Sequence, residues 1–126
     1  VDTPRQLLGE DAYFAEVGGP LAAPPNYTSK ALETFARVKT GDGLLFGFTV
    51  TNTNAAARFA LLFDTSVLPA NGAVPIFAKS VPAGDAVGFS WIPPRSFQAG
   101  CFIVNSTTQA TLTIGAADQL YDAQYA

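Results

Sequence analysis

Residues 44–64 read LLFGFTVTNTNAAARFALLFD, and the fold turns on this stretch. Side chains alternate across a strand, so Phe46, Phe48 and Val50 fall on one face, and Leu45, Gly47, Thr49 and Thr51 on the other. Further on, Phe59, Leu61 and Phe63 alternate with Arg58, Ala60 and Leu62. Between them, Thr51-Asn52-Thr53-Asn54 has turn chemistry, because Asn tolerates left-handed backbone and bonds to its own main chain. The stretch therefore reads as a hairpin whose aromatic faces, Phe46, Phe48, Phe59, Leu61 and Phe63, share one core.

The same alternation continues outward. Residues 31–39 set Leu32, Thr34, Ala36 and Val38 against Glu33, Phe35, Arg37 and Lys39, which predicts a strand, with a helix as the alternative. Thr40-Gly41-Asp42-Gly43 supplies the positive-φ positions of a tight hairpin turn. Asn71-Gly72 is a second turn, and Pro69 and Pro75 keep their surroundings out of a central ladder, since proline cannot donate. An edge strand is expected over 76–81, then a turn at Pro82-Ala83-Gly84-Asp85. A strand over 86–92 should stop at Pro93-Pro94. Residues 98–106 and 109–114 read as a last hairpin, and 119–125 as a closing strand with Leu120 and Asp122 opposite Tyr121 and Ala123. About seven or eight short strands with regular turn signals predict an all-β chain, an antiparallel β-sandwich or jelly roll.

Residues 1–30 differ from the rest. Gly18-Gly19-Pro20 and Pro24-Pro25 break regular structure, and the proline pair favours extended geometry. The segment reads as an extended N-terminal arm ahead of a sandwich domain at 31–126, with a short helix over 5–16 as the competing local reading. Leu7, Leu8, Tyr13, Phe14, Val17 and Leu21 are too apolar for an idle tail. They are the candidate partner-binding residues, placed against the chain's own domain or a neighbour.

Composition narrows the function. A single domain of 126 residues buries roughly two-thirds of its unfolded surface, enough for a core without staples. With 48% hydrophobic and 13% charged residues, the chain is not intrinsically disordered. Its net charge is −3 and its seven Lys and Arg are scattered, which argues against nucleic-acid binding. No apolar run approaches the ~20 residues of a membrane span. The opening VDTPRQLLGED lacks a signal peptide's basic start and apolar stretch.

The chain has no histidine, which removes the usual general base, the commonest metal ligand and every His-based triad. Cys101, in an apolar run, reads as a small buried hydrophobe. Ser29-Lys30 and Lys79-Ser80 are neighbours, and neighbours on a strand point apart, so neither makes a Ser-Lys pair. Asp42, Asp64, Asp85 and Asp118 sit in or beside turns. They could converge on Ca²⁺, but turn geometry alone accounts for them. Gly41-Asp42-Gly43 lacks the third glycine of a dinucleotide fingerprint and opens a strand rather than a helix. Asn26-Tyr27-Thr28 and Asn105-Ser106-Thr107 match the N-glycosylation pattern. Trp91, Phe89, Tyr121 and Tyr125 are candidates for a sugar-stacking platform, with core and interface packing as the alternative. No catalytic, cofactor-binding or metal residue is assigned.

One run carries a resemblance. The strand ending Thr51-Asn52-Thr53-Asn54 is followed by one closing on Phe63-Asp64. The loop Leu68-Pro69-Ala70-Asn71-Gly72-Ala73-Val74-Pro75 comes next, then Val81-Pro82-Ala83-Gly84, the Gly100-Cys101-Phe102-Ile103-Val104 strand before Ser106-Thr107, and Thr113-Ile114-Gly115-Ala116-Ala117-Asp118. From about residue 48 to 125 this resembles small structural virion proteins of tailed bacteriophages, of the capsid decoration or cement type. The resemblance implies a non-enzymatic protein on the capsid surface, made in the host cytoplasm. It also implies the major capsid protein or other virion proteins as partners, and a homo-oligomer, with a trimer favoured. The alternative is a carbohydrate-binding or adhesive module of a fibre or receptor-binding component.

Overall fold

The structure, a computed structural model, describes residues 25–126. These form eight strands and no helix: β1 (Asn26–Thr28), β2 (Phe35–Thr40), β3 (Gly43–Asn52), β4 (Arg58–Phe63), β5 (Phe77–Val81), β6 (Ala86–Phe97), β7 (Gly100–Ser106) and β8 (Gln119–Tyr125). One four-stranded sheet has the order β1-β8-β3-β6 and the other β2-β7-β4-β5, and every pairing is antiparallel. β1 pairs with β8, β2 with β7, β3 with β6 and β4 with β5. The chain is thus one long antiparallel ribbon, folded back at the β4–β5 connection and wrapped around its core. This is the jelly-roll form of the expected β-sandwich.

The wrapping overturns the expected hairpins. β3 and β4 lie in different sheets, so residues 53–57 cross the end of the sandwich rather than turning a hairpin. The turn at Gly41 (φ +85°) also passes from one sheet to the other. Alternation marks which face a residue takes; it carries no information about which strand lies alongside.

Core assignments divide for the same reason. Phe48 and Val50 pack between the sheets with Ala36, Val38, Ala60 and Leu62. Leu61 and Phe63 are buried too, but on the opposite face of their sheet, in a second cluster with Phe102, Val104 and Leu112. Phe59 is half-buried against that cluster. Residues 65–75 and 107–115 form its lid: Gly72 N–H donates to the Leu112 carbonyl at 2.8 Å, Leu112 N–H to the Ala73 carbonyl at 2.8 Å, and Ile114 N–H to Asn71 Oδ1 at 2.8 Å. The predicted strand at 109–114 is therefore mostly loop, joined to β7 by a single bridge between Ile114 and Ser106.

Phe46 is the other correction. It is half-buried, and Leu45 is fully buried in its place. The β3 register shifts between Leu45 and Gly47, which pair with Arg95 and Ser90 of β6. A bulge inserts a residue and reverses the alternation beyond it. On β6 the four residues Trp91-Ile92-Pro93-Pro94 lie opposite the shift, and the Ile92–Pro93 peptide is cis. β6 thus runs on through the prolines that were expected to end it. It tolerates them because it is an edge strand, where a missing donor breaks no ladder.

At one end, buried Asn52, Asn105 and Gln119 join Asp118 in a polar network. Asp118 Oδ1 accepts from Gln119 Nε2 at 2.7 Å and Asn105 Nδ2 at 3.1 Å, and its Oδ2 from Asn54 Nδ2 at 2.6 Å. Gln119 also donates to Asn52 Oδ1 at 2.7 Å. These bonds tie the 53–57 crossing to β8, so polar groups do at this end what apolar packing does in the middle.

Candidate functional site

Two open sheets leave a sandwich with two edges, and here they differ. At one, β1 lies beside β2 and residues 29–34 link the sheets. Tyr27 Oη donates to Glu33 Oε1 at 2.6 Å, Tyr121 Oη donates to the Thr34 carbonyl at 2.9 Å, and Glu33 bridges Gln119. Burial pushes both phenols above their ordinary range; the Glu33 carboxylate adds to this, through its hydrogen bond at Tyr27 and its charge at both.

The other edge is formed by β5 and β6, neither of which has a further strand beside it among the described residues. Aromatic rings fill the gap. Phe77 of β5 meets Phe89 at 5.0 Å and Trp91 at 5.1 Å between centroids, Phe89 meets Trp91 at 4.9 Å, and Phe48 backs them from the core. Tilted and edge-on contacts at these distances are the favourable arrangements for aromatic pairs. Two cations lie against the rings. The Arg95 guanidinium is 5.7 Å from the Trp91 centroid and 5.9 Å from Phe77, and the Lys79 ammonium is 5.7 Å from Phe89. Arg95 also donates to the Ile76 carbonyl at 2.9 Å, tying the irregular stretch of β6 to the loop before β5.

This edge is covered on its outside by nothing among the described residues. Ile92 is 98% exposed, Val74 74%, Ile76 41% and Phe89 38%. β5 and β6 contain Lys79 and Arg95 but no Asp or Glu. The result is an apolar strip with two positive charges, on strands with unspent backbone donors and acceptors. Lys79, Arg95, Pro93-Pro94 and the register shift blunt this edge against strand pairing, but its exposed side chains stay apolar, and an exposed apolar patch marks a contact surface.

The expected sugar platform is not assembled. Trp91 and Phe89 stack at the β5/β6 edge, whereas Tyr121 is buried between the sheets with its hydroxyl committed to Thr34, and Tyr125 is half-buried on β8. The outer face of the β1-β8-β3-β6 sheet holds a shallow polar groove of about 660 Å³, lined among others by Gly47, Thr49, Gly88, Ser90, Asp122 and Gln124. Gly47 is required there, because a Cβ would meet the Phe89 carbonyl at 2.9 Å.

The turn carboxylates stay apart. Asp42 and Asp64 lie at one end of the sandwich, Asp85 and Asp118 at the other. No three His, Cys, Asp or Glu side chains come together as a metal ion needs among the described residues. Asp64 receives backbone N–H bonds from Gln98 and Ala99 at 2.8–3.1 Å, with Gly100 at 3.4 Å. Desolvation works against its charge, yet these donors together hold the carboxyl below its usual range. Cys101 is buried, and burial pushes its thiol up to about 12, leaving no reactive thiolate at neutral pH. Lys79 leans on Phe89 rather than towards Ser80. Asn105 is buried, which closes that glycosylation pattern in the folded chain, while Asn26 is exposed on β1.

The candidate arm residues Leu7, Leu8, Tyr13, Phe14, Val17 and Leu21 lie outside the described residues. The arm as read ran to residue 30, and its last part, Asn26–Thr28, forms β1. Sequence reasoning missed Ile92, Arg95 and Ile76 as a surface. The available signals were a lysine inside a short apolar strand and a proline pair in its neighbour, both marks of sheet edges. No protein-family model matches the chain, and no curated protein or solved structure matches it.

Proposed function

We propose that this chain is a non-enzymatic structural protein of a bacteriophage particle, a capsid decoration or cement protein that bridges and stabilises capsomers. The observation that carries this reading is the β5/β6 edge, where an apolar strip with Ile92 at its crest, 98% exposed, is covered by none of the described residues. The sequence resemblance supplies the class of partner. The jelly-roll strand order agrees by analogy, since viral capsid and lectin domains both use it, though a fold does not by itself assign a role. A rigid sandwich transmits load between capsomers, and apolar burial at the edge would supply the affinity.

The test is co-sedimentation with assembled capsids. Stoichiometric binding that raises capsid melting temperature is expected; capsids that leave the chain in the supernatant defeat the reading. A second reading, a glycan-binding module, is favoured by the exposed Phe89 ring beside Trp91. Saturable quenching of Trp91 emission by an oligosaccharide, lost in Phe89→Ala, would support it.

A further inference from the structure

We propose that the β5/β6 edge receives residues 1–24 of a second copy of this chain. The inference rests on the sequence expectation that the arm's apolar residues bind a partner, and it names the surface they bind.

Complementarity is the first argument. The edge offers Ile92, Ile76, Val74 and Phe89 with Lys79 and Arg95, and no acidic residue on either strand. Residues 1–24 are its chemical opposite: Asp2, Glu10, Asp11 and Glu16 against Arg5 alone, interleaved with apolar residues such as Leu7, Leu8 and Phe14. The rest of the chain carries six acidic and six basic residues, since ten minus four and seven minus one leave equal numbers. The acidic excess of the protein therefore lies in this one segment. Acidic groups beside Lys79 and Arg95, and apolar groups over Ile92, set the register of such a contact.

Placement is the second argument. The arm joins the sandwich at Pro25, whose carbonyl accepts from Tyr125 N–H at 3.0 Å, at the start of β1. β1 and β6 are the two opposite edges of one sheet, with β8 and β3 between them, about 14 Å apart. Twenty-four extended residues reach about 80 Å, so length limits neither route. Chemistry does. Reaching its own edge takes the arm over the outer face of its sheet, where Thr49, Ser90, Asp122 and Gln124 surround the few apolar groups and the Asp122 carboxylate meets the acidic arm with like charge. Reaching a neighbour's edge crosses no such face. Donor and acceptor on opposite edges make a head-to-tail contact, which closes into a ring if the rotation allows.

The test is sedimentation velocity of the full chain over a range of concentrations, with emission from Trp91, the one tryptophan, as a reporter at the edge itself. Concentration-dependent association is expected. Ile92→Asp should weaken it at least about tenfold without unfolding, because that side chain is almost wholly exposed. Lys79→Glu with Arg95→Glu should weaken it similarly, and adding Glu10→Lys, Asp11→Lys and Glu16→Lys to that chain should recover most of the loss. A wild-type chain monomeric at every concentration overturns the proposal, and a Trp91 shift on arm charge reversal would then place the arm on its own edge. An oligomer indifferent to both sets of substitutions overturns it as well. Capsid binding is scored separately: self-association without capsid binding removes only the virion reading, and capsid binding by a strict monomer removes only the arm exchange.

Discussion

The two edges of this sandwich solve one problem in opposite ways. Where β1 meets β2, the chain's own 29–34 connection closes the gap, and its hydrogen bonds are spent internally on Tyr27, Glu33, Tyr121 and Thr34. Where β5 meets β6, no connection crosses the gap at mid-strand, so side chains fill it: four aromatic rings inside and aliphatic groups outside. Polar closure is self-sufficient, because each group finds its partner in the same molecule. Aromatic closure protects the core but leaves an apolar exterior, and that surface loses free energy to water until something covers it. The contrast makes the β5/β6 edge the place to test the proposed contact.

Phe48 links the inter-sheet core to the aromatic edge, and Phe48→Ala should cost about 3–5 kcal/mol through lost burial and a residual cavity. The urea midpoint reads it, and Trp91 emission should shift to the red; an unchanged midpoint would show that the edge aromatics stand apart from the core. At the polar edge, Tyr121→Phe removes one of the two donors to the Thr34 carbonyl, which keeps the Asn105 N–H at 2.8 Å, and should cost about 0.5–1.5 kcal/mol. That loss should leave Trp91 emission unchanged, and a shift there would mean the edges are coupled.

Asp64, at the β6–β7 turn, serves as a control belonging to neither edge. Its carboxyl is depressed in the folded chain, so its contribution is present above the ordinary carboxylate range and disappears as pH falls through the folded value. Asp64→Asn should therefore lower stability at neutral pH and flatten the acid limb of a thermal-stability profile, with convergence on the wild type at low pH. Parallel acid limbs would remove the capping role. The smallest effect is expected at Ile92, where Ile92→Asp should change folding stability by no more than about 0.5 kcal/mol while acting on association. A large folding loss there would mean that the edge is packed against something inside the same molecule.

Local chemistry carried the all-β class, the positive-φ turns at Gly41, Gly72 and Gly84, and the edge position of β5. It also carried the inward faces of Phe48 and Val50 and the shared face of Tyr121 and Ala123, since alternation is a property of a strand's own backbone. What it could not carry was pairing. Residues 44–64 look like a hairpin because a polar stretch separates two apolar runs, and a sheet-to-sheet crossing has the same composition as a turn. The bulge that buries Leu45 in place of Phe46 arises where β3 carries one residue more than β8 and faces the longer path of β6. The burial of Leu61 and Phe63 away from Phe48 depends on a lid from two distant loops. Ile92 shows the limit most plainly: an isoleucine before two prolines reads as the end of a strand, and only the meeting of β5 and β6 makes it the crest of an exposed edge. Faces are set by neighbours in the chain; partners are set by whichever distant strands bury the most apolar surface together, and that is a property of the whole fold.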